Sequence, residues 1–448
     1  MMTLQHDAFT RVSRRSFLYQ AGGAALATSA LLAGCGAGSG AGGGAVALNV
    51  WGGVPAENGP KKLIEAFHKA HPNIQVKYTR FVNDDTGNTK LDTALQGGTP
   101  IDIYFSYTVA RMSQRIKAKL AVDLTSYVSG DSALSSWSQN NDAIFKVDSQ
   151  YYSLPTTREP NFVAINKKML DAAGLKVPTS WTVSEYREMA KKLTSTNGGK
   201  TVYGSYAPPS LPLITLGPNA SYKDGGKESN FDNPVFKQDL QLHVDMMKEK
   251  SAFPWTEVLA QNLRAYAQNP FLTGQEAMWI TSPFSLRYVN DASKYPHDFV
   301  TTFAPMPKPD TASTSYNGGS LNNWIMMHPK SKNKDAAWTF IRFWLGEGSR
   351  YMLTAGKNPV LPEIDQETQV NGILGDKKAI LYDVDAFKNV VFAPDLKFVT
   401  DTITVAGAQM SQITQSQTDR CLIGEISPDQ WVSTVKQQCD DAIKKAGA

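Results

Sequence analysis

From Val46 onward the hydrophobic positions alternate between two periods. Val46-Ala47-Leu48-Asn49-Val50-Trp51 is strand-like and stops at Gly52-Gly53, and the helical face of Leu63, Ile64, Phe67 and Ala70 runs to His71-Pro72. Ile74 to Tyr78 alternates as a second strand, Lys90 to Leu95 reads as helix, and Gly97-Gly98-Thr99-Pro100 stops it before a third strand, Ile101 to Phe105. The same alternation resumes with a strand at Asn161–Asn166, a helix at Trp181–Leu193 and a short apolar strand at Ala277–Ile280. Leu321 to Met327 predicts another strand, Lys334 to Leu345 a strong helix, and the chain from about Asp376 is mostly helical. Strand–helix–strand order of this kind predicts α/β architecture with central, mainly parallel sheets and flanking helices. No repeat of fixed period interrupts it, so a solenoid or propeller is excluded.

Length turns one sheet into two. A chain of 448 residues exceeds what one hydrophobic core organises, so two domains or a two-lobed body is expected. Hydrophobic residues at 42% and charged residues at 19% exclude a disordered or disulfide-dense chain. A net charge of +4 from 45 basic and 41 acidic residues, without a basic block, gives no reason to expect nucleic acid as a partner. The apolar stretch from Ala21 to Ala33 is too short for an ordinary membrane span, which excludes a polytopic membrane protein.

That stretch has another use. Ser13-Arg14-Arg15-Ser16-Phe17-Leu18 precedes it, and Leu32-Ala33-Gly34-Cys35 follows. The first resembles a twin-arginine export signal and the second the bacterial lipobox, in which residues 1–34 are removed and Cys35 is acylated. The six glycines between Gly36 and Gly44 make residues 35–45 an acylated cysteine with a flexible tether. These features predict an exported protein, anchored by lipid to the outer face of the cell membrane. An uncleaved N-terminal anchor is the competing reading.

With Cys35 assigned to lipid, Cys421 and Cys439 remain, an even pair that in an exported chain is a disulfide candidate. Trp431, Val435 and Cys439 share one face of a helix predicted from Pro428 toward Lys445, capped by Ser427. Two independent buried thiols are the alternative. Neither cysteine has a histidine nearby, so no metal and no cofactor are expected.

Several segments carry a resemblance. Phe67-His68-Lys69-Ala70-His71-Pro72-Asn73-Ile74, Gly97-Gly98-Thr99-Pro100-Ile101-Asp102-Ile103, and Leu154-Pro155 with Val163-Ala164-Ile165-Asn166-Lys167 stand in this order. Ala173-Gly174-Leu175, Pro178-Thr179-Ser180-Trp181, Phe271 to Met278 and Ala336-Ala337-Trp338-Thr339-Phe340-Ile341 follow. Together they resemble the solute-binding proteins of ABC importers, specifically the carbohydrate-binding group that includes the maltose-binding protein. Ile101 stands where that group more often has proline.

The resemblance implies a periplasmic-binding-protein fold. Lobe one would comprise residues 46–154 and 317–346, and lobe two residues 156–316 and 347–448. A monomer would close on a sugar or oligosaccharide about a hinge and present it to permease transmembrane subunits. A sugar needs aromatic plates for its C–H faces and amides or carboxylates for its hydroxyl rim. Trp51 and Tyr107, at strand ends, are candidate plates, with core packing the alternative for Trp51. Asn58 lies on the loop after the first strand, where plain solvation competes. Arg158 and Glu159 at the first crossing would bind hydroxyls or form a structural ion pair. Phe284 matches a stacking position of the group, with Arg287 three residues on. Asn317, Gly318, Gly319 and Asn322 open the return to lobe one, where glycines would let backbone amides approach the ligand.

Enzyme signatures are missing. The sequence holds no Gly-x-Ser-x-Gly, no His-Glu-x-x-His and no phosphate loop, and His68 and His71 read as a capping or solvated pair. Catalytic residues are therefore not expected, although a secreted carbohydrate-active enzyme remains a rival. Iron, an anion or a polyol are the alternative ligands for a binding protein.

Overall fold

The computed structural model describes residues 45–141, 144–264, 266–311 and 314–447, so the export signal, Cys35 and the tether lie outside the described residues. Twelve strands are described: β1 (Val46–Gly52), β2 (Ile74–Arg80), β3 (Ile103–Ser106), β4 (Leu154–Glu159), β5 (Phe162–Asn166) and β6 (Ser195–Asn197), then β7 (Lys200–Ser205), β8 (Tyr222–Lys223), β9 (Glu228–Ser229), β10 (Glu276–Thr281), β11 (Thr301–Pro305) and β12 (Ser320–Met327). They form two five-stranded sheets, ordered β2-β1-β3-β12-β4 and β11-β5-β10-β7-β6, and the small hairpin β8-β9.

The sheets are more mixed than the strand–helix alternation predicts. Parallel pairing is confined to β1–β2, β1–β3 and β7–β10. β12 runs antiparallel to both β3 and β4, and β5 antiparallel to both β10 and β11. The reason is connectivity. β4 passes through Pro160-Asn161 directly into β5 of the other sheet, and β12 returns from the second lobe, so neither arrives through a helical crossover.

Period-2 burial sets each core. Leu48 and Val50 of β1 are buried while Asn49 and Trp51 are half-buried. The helix Pro60–Ala70 covers the sheet with Leu63, Ile64 and Phe67, and the Phe67 ring meets Phe340 of the helix Lys334–Leu345 edge-on at 4.9 Å. In the second sheet Phe162 and Ala164 face one core and Val163 and Ile165 the other. A third apolar cluster gathers the helices Pro234–Lys248, Gly407–Leu422 and Pro428–Lys445. Among the described residues no helix is long and apolar enough to cross a membrane.

The crossings fall later than expected. β4 belongs to the first sheet as far as Glu159. Met352, Ala355, Val360 and Leu361 pack in the first core, so the boundary expected at 346 lies beyond 361, and Ile364 is in the second core. Leu353, beside Met352, also joins the second core, so the 3-10 helix Glu347–Ala355 touches both.

Asn317 clasps the adjacent crossing strand. Its Oδ1 accepts the Asn161 N–H at 2.7 Å and its Nδ2 donates to the Asn161 carbonyl at 2.9 Å. Gly319 lies so close to this strand that a Cβ would meet the Glu159 carbonyl oxygen at 2.3 Å. Only glycine fits there.

The expected disulfide is not formed: Cys421 and Cys439 are free, buried thiols. Both pack in the third cluster, on helices joined by residues 423–427. The Trp431 indole donates to Thr418 Oγ1 at 3.1 Å, which fixes the level of the two helices. From that level Cys421 lies three residues toward the turn and Cys439 eight residues away from it, an axial offset of about 16 Å at helical rise. A bridge tolerates a Cα separation of about 7 Å at most. Burial pushes the thiols up, to about 11 for Cys421 and about 12 for Cys439. The capping of this helix is as expected: Ser427 Oγ accepts the Gln430 N–H at 3.2 Å, and Gln430 Oε1 accepts the Ser427 N–H at 2.8 Å.

Candidate functional site

A cavity of about 680 Å³ lies between the two lobes. The first lobe contributes Tyr107 to Ala110, just past the end of β3, and Ser320 to Asn322 of β12. The second contributes residues that follow β7, from Ser210 to Leu213, together with Tyr222, Phe231 and Asp239. Carboxyl ends of parallel strands are where open α/β sheets leave room for a ligand.

The floor under Tyr107 is built from β3. Arg115, only 2% exposed, binds Asp92 at 2.7 Å, Ser106 Oγ at 2.7 Å and Asn88 Oδ1 at 2.9 Å. This network pins the strand end immediately before Tyr107. The Tyr107 hydroxyl accepts the Gly53 N–H at 2.5 Å, and a Cβ on Gly53 would meet the Tyr107 ring at 2.9 Å. Burial drives the Tyr107 phenol far above its ordinary range, so it stays protonated. Thr108 Oγ1 accepts the Arg111 N–H at 3.3 Å and starts the helix Val109–Lys117 at the cleft mouth.

The opposite wall is aromatic and acidic. Phe231 meets Trp431 edge-on at 5.8 Å, and both line the cavity. The Tyr222 hydroxyl donates to the Val405 carbonyl at 2.8 Å, tying the hairpin to the loop 399–406. Asn219 Oδ1 accepts the N–H groups of Thr402 and Ile403 at 2.8 and 2.9 Å and holds the same loop. That loop presents Thr400 and Asp401 to the cavity. Asp401 Oδ1 accepts the Asn219 N–H at 2.6 Å, and Asp239 Oδ1 accepts the Leu211 N–H at 2.7 Å. Burial pushes the Asp239 carboxyl up to about 7, with the Leu211 N–H opposing it, and raises Asp401 for the same reason. Across the cleft, Ser113 Oγ of the first lobe lies 2.7 Å from Thr404 Oγ1 of the second.

The structure brings only part of the expected site together. Tyr107, Gly318 and Asn322 line the cavity. Asn317 lines a neighbouring cavity of about 540 Å³, and its amide is occupied with the hinge. Trp51 packs half-buried on the first core, the alternative weighed for it, and is not among the cavity's lining residues. Asn58 ends the 3-10 turn Ala56–Asn58, outside the cavity. Arg158 and Glu159 do not pair with each other, since neighbours in a strand face opposite ways. Glu159 instead binds Lys357 at 2.8 Å, and Arg158 donates to the Val391 carbonyl at 3.1 Å beneath the Phe398 ring. Phe284 sits beneath the cations of Arg287 and Lys357, at 5.7 and 5.4 Å, and belongs to this hinge cluster. Gly319 serves the close strand crossing described above.

Asp239, Thr400, Asp401, Tyr222 and Phe231 are among the lining residues that sequence reasoning missed. Asp239 carried a signal. Val235, Phe236 and Leu240 form the apolar face of the helix Pro234–Lys248, and Asp239 interrupts that face at i+4 from Val235.

Two α/β lobes joined by crossing strands, with a cavity of about 680 Å³ walled by both, are the architecture of a two-lobed binding protein. The sequence profile of the bacterial extracellular solute-binding proteins matches residues 55–351, well over half of the chain. The chain belongs to that family, whose members bind their solute and are not enzymes. A mannitol-binding protein of Pseudomonas aeruginosa is 23% identical over 420 residues, covering 86% of this chain and 90% of its own. Among solved structures, an ABC substrate-binding protein of Listeria monocytogenes in complex with cycloalternan superposes with a TM-score of 0.71 at 20% identity, over 89% of this chain and 99% of that one. The sugar-binding protein MalE of Xanthomonas citri does so with a TM-score of 0.67 at 18% identity, over 89% and 98%.

Proposed function

We propose that this protein is the substrate-binding component of an ABC importer for a sugar or sugar-like polyol, which it captures in the interlobe cleft and delivers to the permease. The observation that carries the reading is the cavity shared by both lobes, with Tyr107 on one side and Phe231 and Tyr222 on the other. Aromatic faces, hydroxyls, the Asn322 amide and carboxylates are what a polyhydroxylated ring requires. A solute touching both lobes gains contacts only in the closed form, and that difference drives closure. The neighbouring cavity is lined from the second lobe and the hinge, so filling it would give no such difference. Carbohydrate and polyol ligands named for the related proteins support the same class.

An anion is disfavoured, because no lysine, arginine or histidine stands among the cavity's described lining residues. Iron is disfavoured too. The Tyr107 and Tyr222 hydroxyls are engaged with the backbone and held protonated by burial, and no metal-binding cluster occurs among the described residues. The twin-arginine-like segment and the lipobox support export and a lipid anchor at Cys35, which metabolic labelling of wild type and Cys35→Ala with a fatty acid would test.

A thermal-shift screen against a sugar and polyol panel tests the function. A true ligand at a hundredfold excess over its Kd stabilises by about 2.7 kcal/mol and is recovered chemically intact. Tyr107→Ala should remove most of that shift. Release of cleaved sugar, or stabilisation by phosphate or ferric ion alone, would overturn the assignment.

A further inference from the structure

The cleft is charged on one side only. Its described lining holds two carboxylates, Asp239 and Asp401, and no cationic side chain to offset them. Each aspartate accepts one backbone N–H on Oδ1, from Leu211 and Asn219, while its Oδ2 has no hydrogen bond among the described residues. Thr400, 8% exposed and next to Asp401, lines the same cavity with an Oγ1 that has no partner.

Most cations on the surrounding elements are committed elsewhere, and exposed Lys117, Lys227 and Lys248, which form no ion pair among the described residues, do not line the cavity. Arg111 is held by Asp85 at 2.8 Å, Arg264 by Asp419 at 2.7 Å, Lys223 by Asp232 at 2.8 Å and Lys237 by Asp429 at 2.5 Å. Arg420 binds Glu425 at 3.0 Å, and Lys436 is taken by Asp440. Lys397, near Asp401 in the sequence, lines the neighbouring cavity instead.

Asp239 is half-buried and Asp401 exposed, and closure of the lobes over a solute would take water from both. A buried charge without a partner is strongly unfavourable, and a hydroxyl can donate a hydrogen bond without cancelling the charge. An ammonium does both. We propose that the solute carries a positive charge, as an amine-bearing sugar or polyol whose ammonium is received by the Asp239 and Asp401 side of the cleft with Thr400 beside it. This inference rests on the carbohydrate reading and narrows it. Because burial holds Asp239 near 7, binding of the ammonium should strengthen from pH 5 to 7 as that carboxyl ionises.

Isothermal titration of the full chain with matched sugars tests it. The probes are glucosamine, N-acetylglucosamine and glucose, and the disaccharides chitosan dimer, diacetylchitobiose and cellobiose. The amine member of a set should bind about tenfold or more tightly than its neutral counterparts. Asp239→Asn and Asp401→Asn each retain an oxygen for the Leu211 or Asn219 N–H, and should reduce that preference and flatten its pH dependence. Equal or tighter binding of the neutral sugars by the wild type would overturn the inference and leave the carbohydrate reading in place. Absence of binding by every sugar in the wider panel would count against that reading, and this inference would fall with it.

Discussion

Glu276→Gln should stabilise the protein, and by more at each step of rising pH. Glu276 opens β10 in the middle of the second sheet, opposite Tyr203 of β7 and fully buried. Neither carboxyl oxygen has a hydrogen-bond partner among the described residues, and the nearby Tyr206 hydroxyl also lacks one there. Burial lifts the carboxyl well above its ordinary 4.5, so the folded protein keeps this proton over a pH range in which the unfolded chain has lost it. The folded-state value is raised, so stability is at its fullest below 4.5 and is lost as pH rises toward the folded value. Over that window the loss is about 1.4 kcal/mol per pH unit, and glutamine, which has no proton to retain, escapes it. Denaturation of wild type and variant at pH 5, 6, 7 and 8 measures the difference. Asp239 and Asp401 titrate in both proteins and cancel in the comparison. A difference that stays constant with pH would refute the reasoning, because it would mean that Glu276 is not protonated by its surroundings.

Lys357→Met should destabilise by about 3 kcal/mol, since it strands Glu159 at a buried position, and Lys357→Met with Glu159→Leu should recover most of the loss in urea titrations. Gly319→Ala should lose about 1–3 kcal/mol through the clash with the Glu159 carbonyl, read as a lower Tm. The thiols of Cys421 and Cys439 should resist a disulfide reagent in the native state and react on unfolding, and reductant should leave Tm unchanged.

Elements whose burial follows a single period were legible in the chain. The helix Lys334–Leu345 lies where its apolar face predicts, and β1, β2 and β12 begin within a residue of expectation. β4 was not legible as a strand, because Leu154-Pro155-Thr156-Thr157-Arg158-Glu159 has no alternation and owes its conformation to pairing with β12. Tyr107 could be found because a cleft residue that ends a predicted strand inherits its position from the sheet. Thr400 and Asp401 could not, since their loop has no periodicity and is placed by hydrogen bonds to Asn219, some 180 residues earlier. The disulfide expectation failed on a quantity that cysteine counting lacks, the axial offset of two residues on packed helices. The charge pair at the hinge failed because Lys357 arrives from a third crossing that no local pattern announced.

The hydroxyl contact between Ser113 and Thr404 bears on how the molecule rests when empty. A neutral bond of this kind contributes about 1 kcal/mol, and water competes for both partners. A fastening so weak cannot keep the jaws shut unaided. Under the function proposed above, the resting balance between gaping and shut forms of an unloaded molecule would be set more by the hinge, where the Val399 N–H also donates to the Gly319 carbonyl at 3.1 Å, than by this contact at the rim.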